Sequence, residues 1–324
     1  MPDGAPGPDT APDAAVLDDV ILPFRIVRTG LHGRLVRLGP VVDAILSRHR
    51  YPEPVAALLG EALALTCTLG AALKFDGVFS LQTKGDGPVR LLVADVTSAG
   101  GVRGYAEADA DRLAEIGPDL PDNPVPRLLG AGHLAFTVDQ GPDTERYQGV
   151  VELTGATLTD CAAHYLRQSE QLETLLNLGV GHRDGGWRAY GLMVQRPPRP
   201  RSDFETAWDV AAAADEDAAD DWLRTASLVG TLGNAEGLDP ALSPARLLYR
   251  LFHEDGVRVL EPRPLAFACR CSRERVVDTL RMLDRDEIAG MKVGDAVEVT
   301  CQFCSETYRF TDADLEAVYA GGGG

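Results

Sequence analysis

Cys269-Arg270-Cys271 and Cys301-Gln302-Phe303-Cys304, two close cysteine pairs 29 residues apart, are the most informative part of the chain. Four thiolates in two pairs suit tetrahedral zinc, which structural sites hold through cysteine sulfur. The second pair has the common C-x-x-C spacing, the first the unusual C-x-C. In an extended strand, side chains two apart share a face, and their sulfurs are then poorly placed to wrap one ion. The chain is therefore expected to kink near Arg270. Each pair is also close enough to form a disulfide in a very small ring if the metal leaves, and such disulfides tend to be strained, labile and regulatory. The pattern predicts one Zn2+ on Cys269, Cys271, Cys301 and Cys304, in a site that doubles as a redox switch. A closed shell of four sulfurs leaves no open position for substrate, so catalysis at the metal is not expected.

Upstream of the pairs, composition changes after Arg196. Pro197-Pro198-Arg199-Pro200 ends a first domain, and the chain from there to about Leu260 reads as short helices with thin apolar faces. Trp222, Ala226 and Val229 share one helical face. Ser243-Pro244 reads as an N-cap with proline at the first helical position, followed by the stripe Leu247, Leu248, Leu251 and Phe252. The stretch also carries the acidic cluster Asp215-Glu216-Asp217 with Asp220 and Asp221. Such a segment buries little surface by itself and must lean on a neighbour.

Further upstream, Leu22–Val27 and Arg34–Leu38 read as strands punctuated by Gly30 and Gly33. Helices are predicted over Val41–Arg50 and from Pro54, the second apolar over a broad face and so buried. Val78–Thr83 and Val89–Asp95 flank a hairpin signal, with Val102–Ala106 beside them. His133–Val138 and Tyr147–Leu153 read as another hairpin, followed by a helix over about Leu158–Leu176 and a strand over Trp187–Gln195. Asp119–Pro126 reads as a proline-rich loop. The expected fold class is α+β: a disordered tail over 1–19, a mixed sheet-and-helix core domain over 20–196, a helical metastable linker over 197–260, and a small C-terminal zinc-binding module over 261–324.

Bulk properties bound the function. The 324 residues are 45% hydrophobic and 25% charged, enough for a sizeable core. A formal charge of −18 argues against nucleic acid as the main partner, because phosphate binding needs a basic footprint. Six cysteines, four of them clustered towards the C-terminus, point to a metal in a reducing compartment, hence the cytosol. Met1–Asp19 lacks the basic and apolar regions of a signal peptide, and the run Ala62–Leu73 is too short to span a bilayer. No G-x-S-x-G elbow and no G-x-x-x-x-G-K-[ST] loop occurs, so neither that hydrolase chemistry nor ATP binding through a P-loop is supported. Cys67 and Cys161 read as packed core thiols. His253, the histidine nearest the cluster, is not needed to complete the shell.

Several stretches together resemble one family. Leu248-Tyr249-Arg250-Leu251-Phe252-His253-Glu254 leads into Cys269-Arg270-Cys271-Ser272-Arg273-Glu274-Arg275. Glu298-Val299-Thr300-Cys301-Gln302-Phe303-Cys304 with Tyr308-Arg309-Phe310 closes the module. Tyr165-Leu166-Arg167-Gln168-Ser169-Glu170-Gln171-Leu172 and Val102-Arg103-Gly104-Tyr105-Ala106 match the family upstream. With these the chain resembles the redox-regulated 33-kilodalton heat-shock chaperones. The resemblance implies a holdase that is inactive when reduced and zinc-bound. It implies that oxidation pairs Cys269 with Cys271 and Cys301 with Cys304, releases zinc and unfolds the linker. Unfolding client proteins then bind, and the oxidised protein dimerises. No nucleic acid, membrane or ATP is implied as a partner. Trp222, Val229, Leu247, Leu248, Leu251 and Phe252 are the candidate client-binding residues. The acidic tail and the acidic, alanine-rich linker depart from the family pattern. The alternative is a constitutive zinc-ribbon module for protein or RNA, favoured by the local basic set Arg270, Arg273, Arg275, Arg281 and Arg285.

Overall fold

The computed structural model describes residues 18–117, 123–141, 144, 147–168, 173–196 and 208–320, with the backbone alone for 208–216 and 320. The chain opens with a hairpin of β1 (Val20–Ile26) and β2 (His32–Leu38), then α1 (Pro40–Leu46) and α2 (Glu53–Gly70). Both helices carry proline in the first turn, where the missing N–H leaves no helical bond unmade. An antiparallel meander follows: β3 (Val78–Gly85), β4 (Val89–Thr97) and β5 (Gly101–Ala108). Next come α3 (Ala110–Ile116), a π-helical turn at Val125–Leu129, the hairpin β6 (Gly132–Asp139) and β7 (Tyr147–Glu152), α4 (Leu158–Gln168), and the hairpin β8 (Thr174–Arg183) and β9 (Gly186–Gln195). Then come α5 (Trp208–Gly230), α6 (Asn234–Gly237), α7 (Pro244–Phe252) and the short strands β10 (Val257–Val259), β11 (Arg263–Pro264) and β12 (Ala266–Phe267). The C-terminal module holds α8 (Arg273–Leu280), α9 (Arg285–Gly290), β13 (Lys292–Val293), β14 (Ala296–Thr300), β15 (Thr307–Thr311) and α10 (Asp312–Ala320).

These strands form three sheets. The first runs β10-β1-β2-β9-β8, with β11 also on β1; the second runs β12-β5-β4-β3-β6-β7; the third is β13-β14-β15. The fold is thus mixed α and β, as expected from the alternation of hairpin signals and helical runs. Helix α2 is its hub. Every residue from Pro54 to Gly70 except Glu61 is buried. Val36, Leu38, Ala189 and Met193 of the first sheet and Leu81, Leu92, Ala94 and Val102 of the second join it in one apolar cluster. Gly191 permits the close approach of β9, since a Cβ there would lie 2.2 Å from Thr68 Oγ1. Among the described residues α2 is the one helix long and apolar enough to cross a membrane, but 89% of that window is buried inside the fold, as in a core helix.

The opposite face of the first sheet carries α5, α6 and α7. Leu22, Phe24, Leu35, Leu192 and Val194 pack there against Val229, Leu232, Leu238, Leu247, Leu248, Leu251 and Phe252. The module has a small separate core of Leu280, Ile288, Val297, Phe310, Leu315 and Val318.

Some expectations differ from the structure. The helix expected over Leu158–Leu176 ends at Gln168, and Thr174 already begins β8. Leu175 and Leu176 continue a helical apolar spacing, but β8 pairs with β9 from Thr174↔Gln195 to Arg183↔Gly186, and that ladder overrides local propensity. Helix α3 was not anticipated; it starts where the Asp109 side chain accepts the Arg112 N–H at 3.2 Å. Val125 and Pro126, expected in a loop, lie in the π-helical turn. The linker contains one 23-residue helix, α5, where short helices were expected. Asp18 and Asp19, read as part of the tail, are tied down: Asp18 pairs with Arg188, and Asp19 accepts the N–H groups of Gly39 and Val41. The rest of the tail, the Pro197–Pro200 break and Ser169–Leu172 of the helix signature lie outside the described residues.

Glu61 gives a pH test of this core. Its carboxylate accepts the N–H and hydroxyl of Thr159 at the start of α4, 3.3 and 3.1 Å away. Partial burial of the side chain between α2 and α4, opposed by those hydrogen bonds, pushes it up to about 6. A carboxyl with a raised folded pKa destabilises the fold when ionised, so stability falls as pH rises from the ordinary value through about 6. Glu61→Gln is expected to raise stability at pH 7.5 by up to about 2 kcal/mol. The gain should vanish near pH 4, as read by denaturant midpoints; a gain independent of pH would show that Glu61 is not the titrating group.

Candidate metal centre

The two cysteine pairs are delivered by different parts of the fold. β12 lies parallel to β5 at the edge of the second sheet, with Phe267 opposite Val102, and the Ala268 N–H donates to the Val102 carbonyl at 3.0 Å. The chain reaches Cys269 directly from that edge. After Cys271, the Ser272 side chain accepts the Arg275 N–H at 3.3 Å and caps α8. Cys301 and Cys304 sit in the turn between β14 and β15. There the Cys301 N–H donates to the Glu306 carbonyl at 2.8 Å, and the Ser305 N–H donates to the Cys301 carbonyl at 2.8 Å. Ser305 takes a φ of 58°, which closes the turn. The site therefore joins the core sheet to the module.

All four Sγ atoms lie within 4.8 Å of one another. The recorded close approaches cross the pairs: Cys269 to Cys301 at 3.7 Å and Cys271 to Cys304 at 3.3 Å. Zinc–sulfur bonds of about 2.3 Å in a tetrahedron set sulfurs about 3.8 Å apart, whereas a disulfide needs about 2.05 Å. The thiols are thus free and spaced as ligands of one ion. Cys304 is buried and the other three are half-buried. Burial opposes ionisation of Cys269, but hydrogen bonds from the Cys271 backbone and the neighbouring thiols bring it down to about 7. Burial pushes Cys271 and Cys304 up. The Tyr308 hydroxyl donates to Cys271 Sγ at 3.2 Å, supporting the sulfur from outside the cluster and raising the phenol.

The other singled-out residues fall elsewhere. His253 lies with Nδ1 3.2 Å from the Arg250 carbonyl and its ring against Tyr249, outside the cluster. Cys67 and Cys161 are core thiols whose pKa burial raises. Val229, Leu247, Leu248, Leu251 and Phe252 are buried together on the outer face of the first sheet. Trp222 is half-buried there beneath the Arg196 guanidinium, 5.2 Å from its ring. Of the basic set, Arg270 pairs with Asp95, Arg273 with Asp314, Arg281 with Asp278 and Arg285 with Glu316. Most of that positive charge is thereby neutralised, which weakens the case for a phosphate-binding face.

Sequence reading missed the polar groups that hold these parts in place. Arg37, 2% exposed on β2, donates to the carbonyls of Leu242 at 3.1 Å and Asp239 at 2.7 Å. Asn177 Nδ2 donates to the carbonyls of Val229 at 2.8 Å and Leu232 at 3.0 Å. Asp95 is buried under the module. Nothing local marks these residues; a charged side chain at an outward strand position reads as solvated.

Comparison with known proteins gives concordant matches. A family model described as Hsp33 protein matches residues 19–311. A 33 kDa chaperonin of Caulobacter vibrioides (strain NA1000 / CB15N) is 43% identical over 306 residues, 93% of this chain and 97% of that protein. A 33 kDa chaperonin of Pseudomonas putida (strain F1) is 37% identical over 314 residues, 96% of each. The crystal structure of a 33 kDa chaperonin from Thermotoga maritima superposes with a TM-score of 0.73 at 24% identity, covering 94% of this chain and 98% of that one, and so shares the fold.

Proposed function

The chain belongs to the Hsp33 family of 33 kDa chaperonins, and from that premise we propose a redox-regulated holdase, held inactive while reduced. The family is one of chaperones, not enzymes. The observation that carries the redox reading is the cluster of four free thiols within 4.8 Å. Cys269, Cys271, Cys301 and Cys304 hold one Zn2+ as thiolates, and the ion's role is to staple the module to the edge of the second sheet. Oxidation converts the thiolates to two disulfides, Cys269–Cys271 and Cys301–Cys304, and the ligand set is lost with the metal. Four electrons leave the sulfurs, and two equivalents of peroxide accept them as water.

A small module with a six-residue core depends on its metal. Structural zinc supplies about 10–16 kcal/mol in comparable modules, against about 5–15 kcal/mol for the net stability of a whole domain. Loss of the module's order frees the segment that directly follows the linker 197–260 in the chain; the linker's apolar face is the proposed client surface: Trp222, Val229, Leu247, Leu248, Leu251 and Phe252. The burial of Val229, Leu247, Leu248, Leu251 and Phe252 on the first sheet, with Trp222 half-buried against them, supports the inactive state of the reduced chain. Oxidised chains then bind unfolding proteins in the cytoplasm and associate as dimers. The division into tail, core, linker and module belongs to the same reading.

The test is light scattering of an unfolding client with the full chain. Reduced, metal-loaded protein should leave aggregation unchanged. Protein treated with peroxide at mild heat should suppress it near stoichiometrically, while zinc appears free and four thiols disappear. Equal suppression in both states would sink the switch.

A further inference from the structure

The residues enclosed by the cysteine pairs are also the residues by which the module grips the core. Arg270 is the single residue between Cys269 and Cys271, and its Nη2 donates to Asp95 Oδ2 at 2.8 Å. Asp95, on the outer face of β4, has a side chain only 4% exposed, and it accepts from Arg103 Nε at 2.7 Å and the Ser80 hydroxyl at 2.6 Å as well. Phe303 lies between Cys301 and Cys304. Its ring covers the Arg103 guanidinium at 3.9 Å and meets the Tyr105 ring at 6.1 Å. The backbone of the same turn is held from the loop after α1: Arg48 donates to the Cys304 carbonyl at 3.2 Å, and His49 sits 3.5 Å from the Phe303 carbonyl.

We propose that Asp95, Arg103, Arg270 and Phe303 form a latch that reports the state of the four thiols to the core domain. The inference rests on the redox reading above and names the contact through which it acts. Each thiol pair that loses two electrons and two protons to a peroxide, yielding two waters, gains a sulfur–sulfur bond. That bond draws Cys269 and Cys271 from their cross-pair spacing of 3.7 and 3.3 Å into a small ring closed around Arg270. Arg270 cannot keep its aim at Asp95 through that change, because its backbone lies inside the ring. The carboxylate then remains with Arg103 and the Ser80 hydroxyl, and Phe303 leaves the guanidinium face as its own ring closes. Withdrawing Arg270 breaks one of the two ion pairs on a carboxylate only 4% exposed, and so the loss is felt on the core sheet and not only in the module.

The latch is also poised. Arg270 Nε is buried with no hydrogen-bond partner, so the seated arginine leaves a donor unsatisfied. Seating therefore depends on the cluster holding the C-x-C turn in place. Letting go uncovers Asp95, Arg103 and Tyr105 on the second sheet.

Asp95→Asn tests this in the reduced, metal-loaded full chain. The variant should keep four titratable thiols and one zinc per chain, since it touches no sulfur. Trypsin should cut residues 260–320 about tenfold faster than in the wild type, and peroxide should consume the thiols severalfold faster. Phe303→Ala, which leaves the core sheet intact, should show the same two changes if Asp95→Asn folds poorly. Wild-type rates of both cleavage and oxidation in Phe303→Ala would overturn the latch. Both readouts need no client, so a failure of holdase activity leaves the latch standing, and a failure of the latch leaves the switch standing.

Discussion

Cys301→Ser is expected to abolish stable zinc binding and leave residues from about Phe267 onward unfolded in otherwise reduced protein. Serine is a poor zinc ligand at neutral pH, and the three thiolates left, two after β12 and one in the β14–β15 turn, no longer close a tetrahedron. The metal contributes about 10–16 kcal/mol in comparable modules, far more than six buried side chains can spare after the entropy of ordering the segment. Zinc content should fall from one per chain towards zero. Amide exchange in β14 and β15 should accelerate by several orders of magnitude, while β2, β9 and α2 keep their protection. The variant should suppress client aggregation without oxidant. Full zinc occupancy in the purified variant would remove Cys301 from the ligand set.

The second large effect is expected at Phe252, where Phe252→Ala should free the linker without touching the metal. Phe252 is 1% exposed and its ring stacks on Phe24 at 5.7 Å. Phe24 in turn lies over Gly33, where a Cβ would come within 2.1 Å of the ring, so β2 is shaped to admit this pair. Removing a buried phenylalanine costs about 3–5 kcal/mol. The loss falls on a segment that packs through one face and a few hydrogen bonds from Arg37, Asn177 and Tyr190. Reduced Phe252→Ala protein should therefore retain its zinc and four thiols yet bind an apolar dye and hold client. If it stays inert until oxidised, with an unchanged unfolding midpoint, α7 is not the element that conceals the client surface.

Legibility of the fold follows the range of the forces involved. The buried helix at Glu53–Gly70 and the hairpins around 78–97 and 132–152 are written in local patterns, an unbroken apolar run and alternation across turn residues. The boundary at Gln168 is not, because Leu175 and Leu176 satisfy helical spacing, and only the turn signal Asp184-Gly185 further along marks them as a strand paired with β9. The cysteine cluster was legible in identity but not in position. Spacing names four candidate ligands; it does not say that the first pair hangs from the edge of the second sheet through β12 and the second pair from a hairpin of the module.

By itself the sequence determined the α+β class, the four clustered thiols and the apolar stripe of the linker, since each is a periodicity or a spacing that needs no partner. The tertiary structure alone decided that the stripe lies on the first sheet, that Arg37 and Asn177 hold its carbonyls, and that Asp95 meets Arg270 across 175 residues of chain. The physical reason is that a charged side chain is cheap in water and costly when buried, and only the folded chain reveals which charges have found a partner.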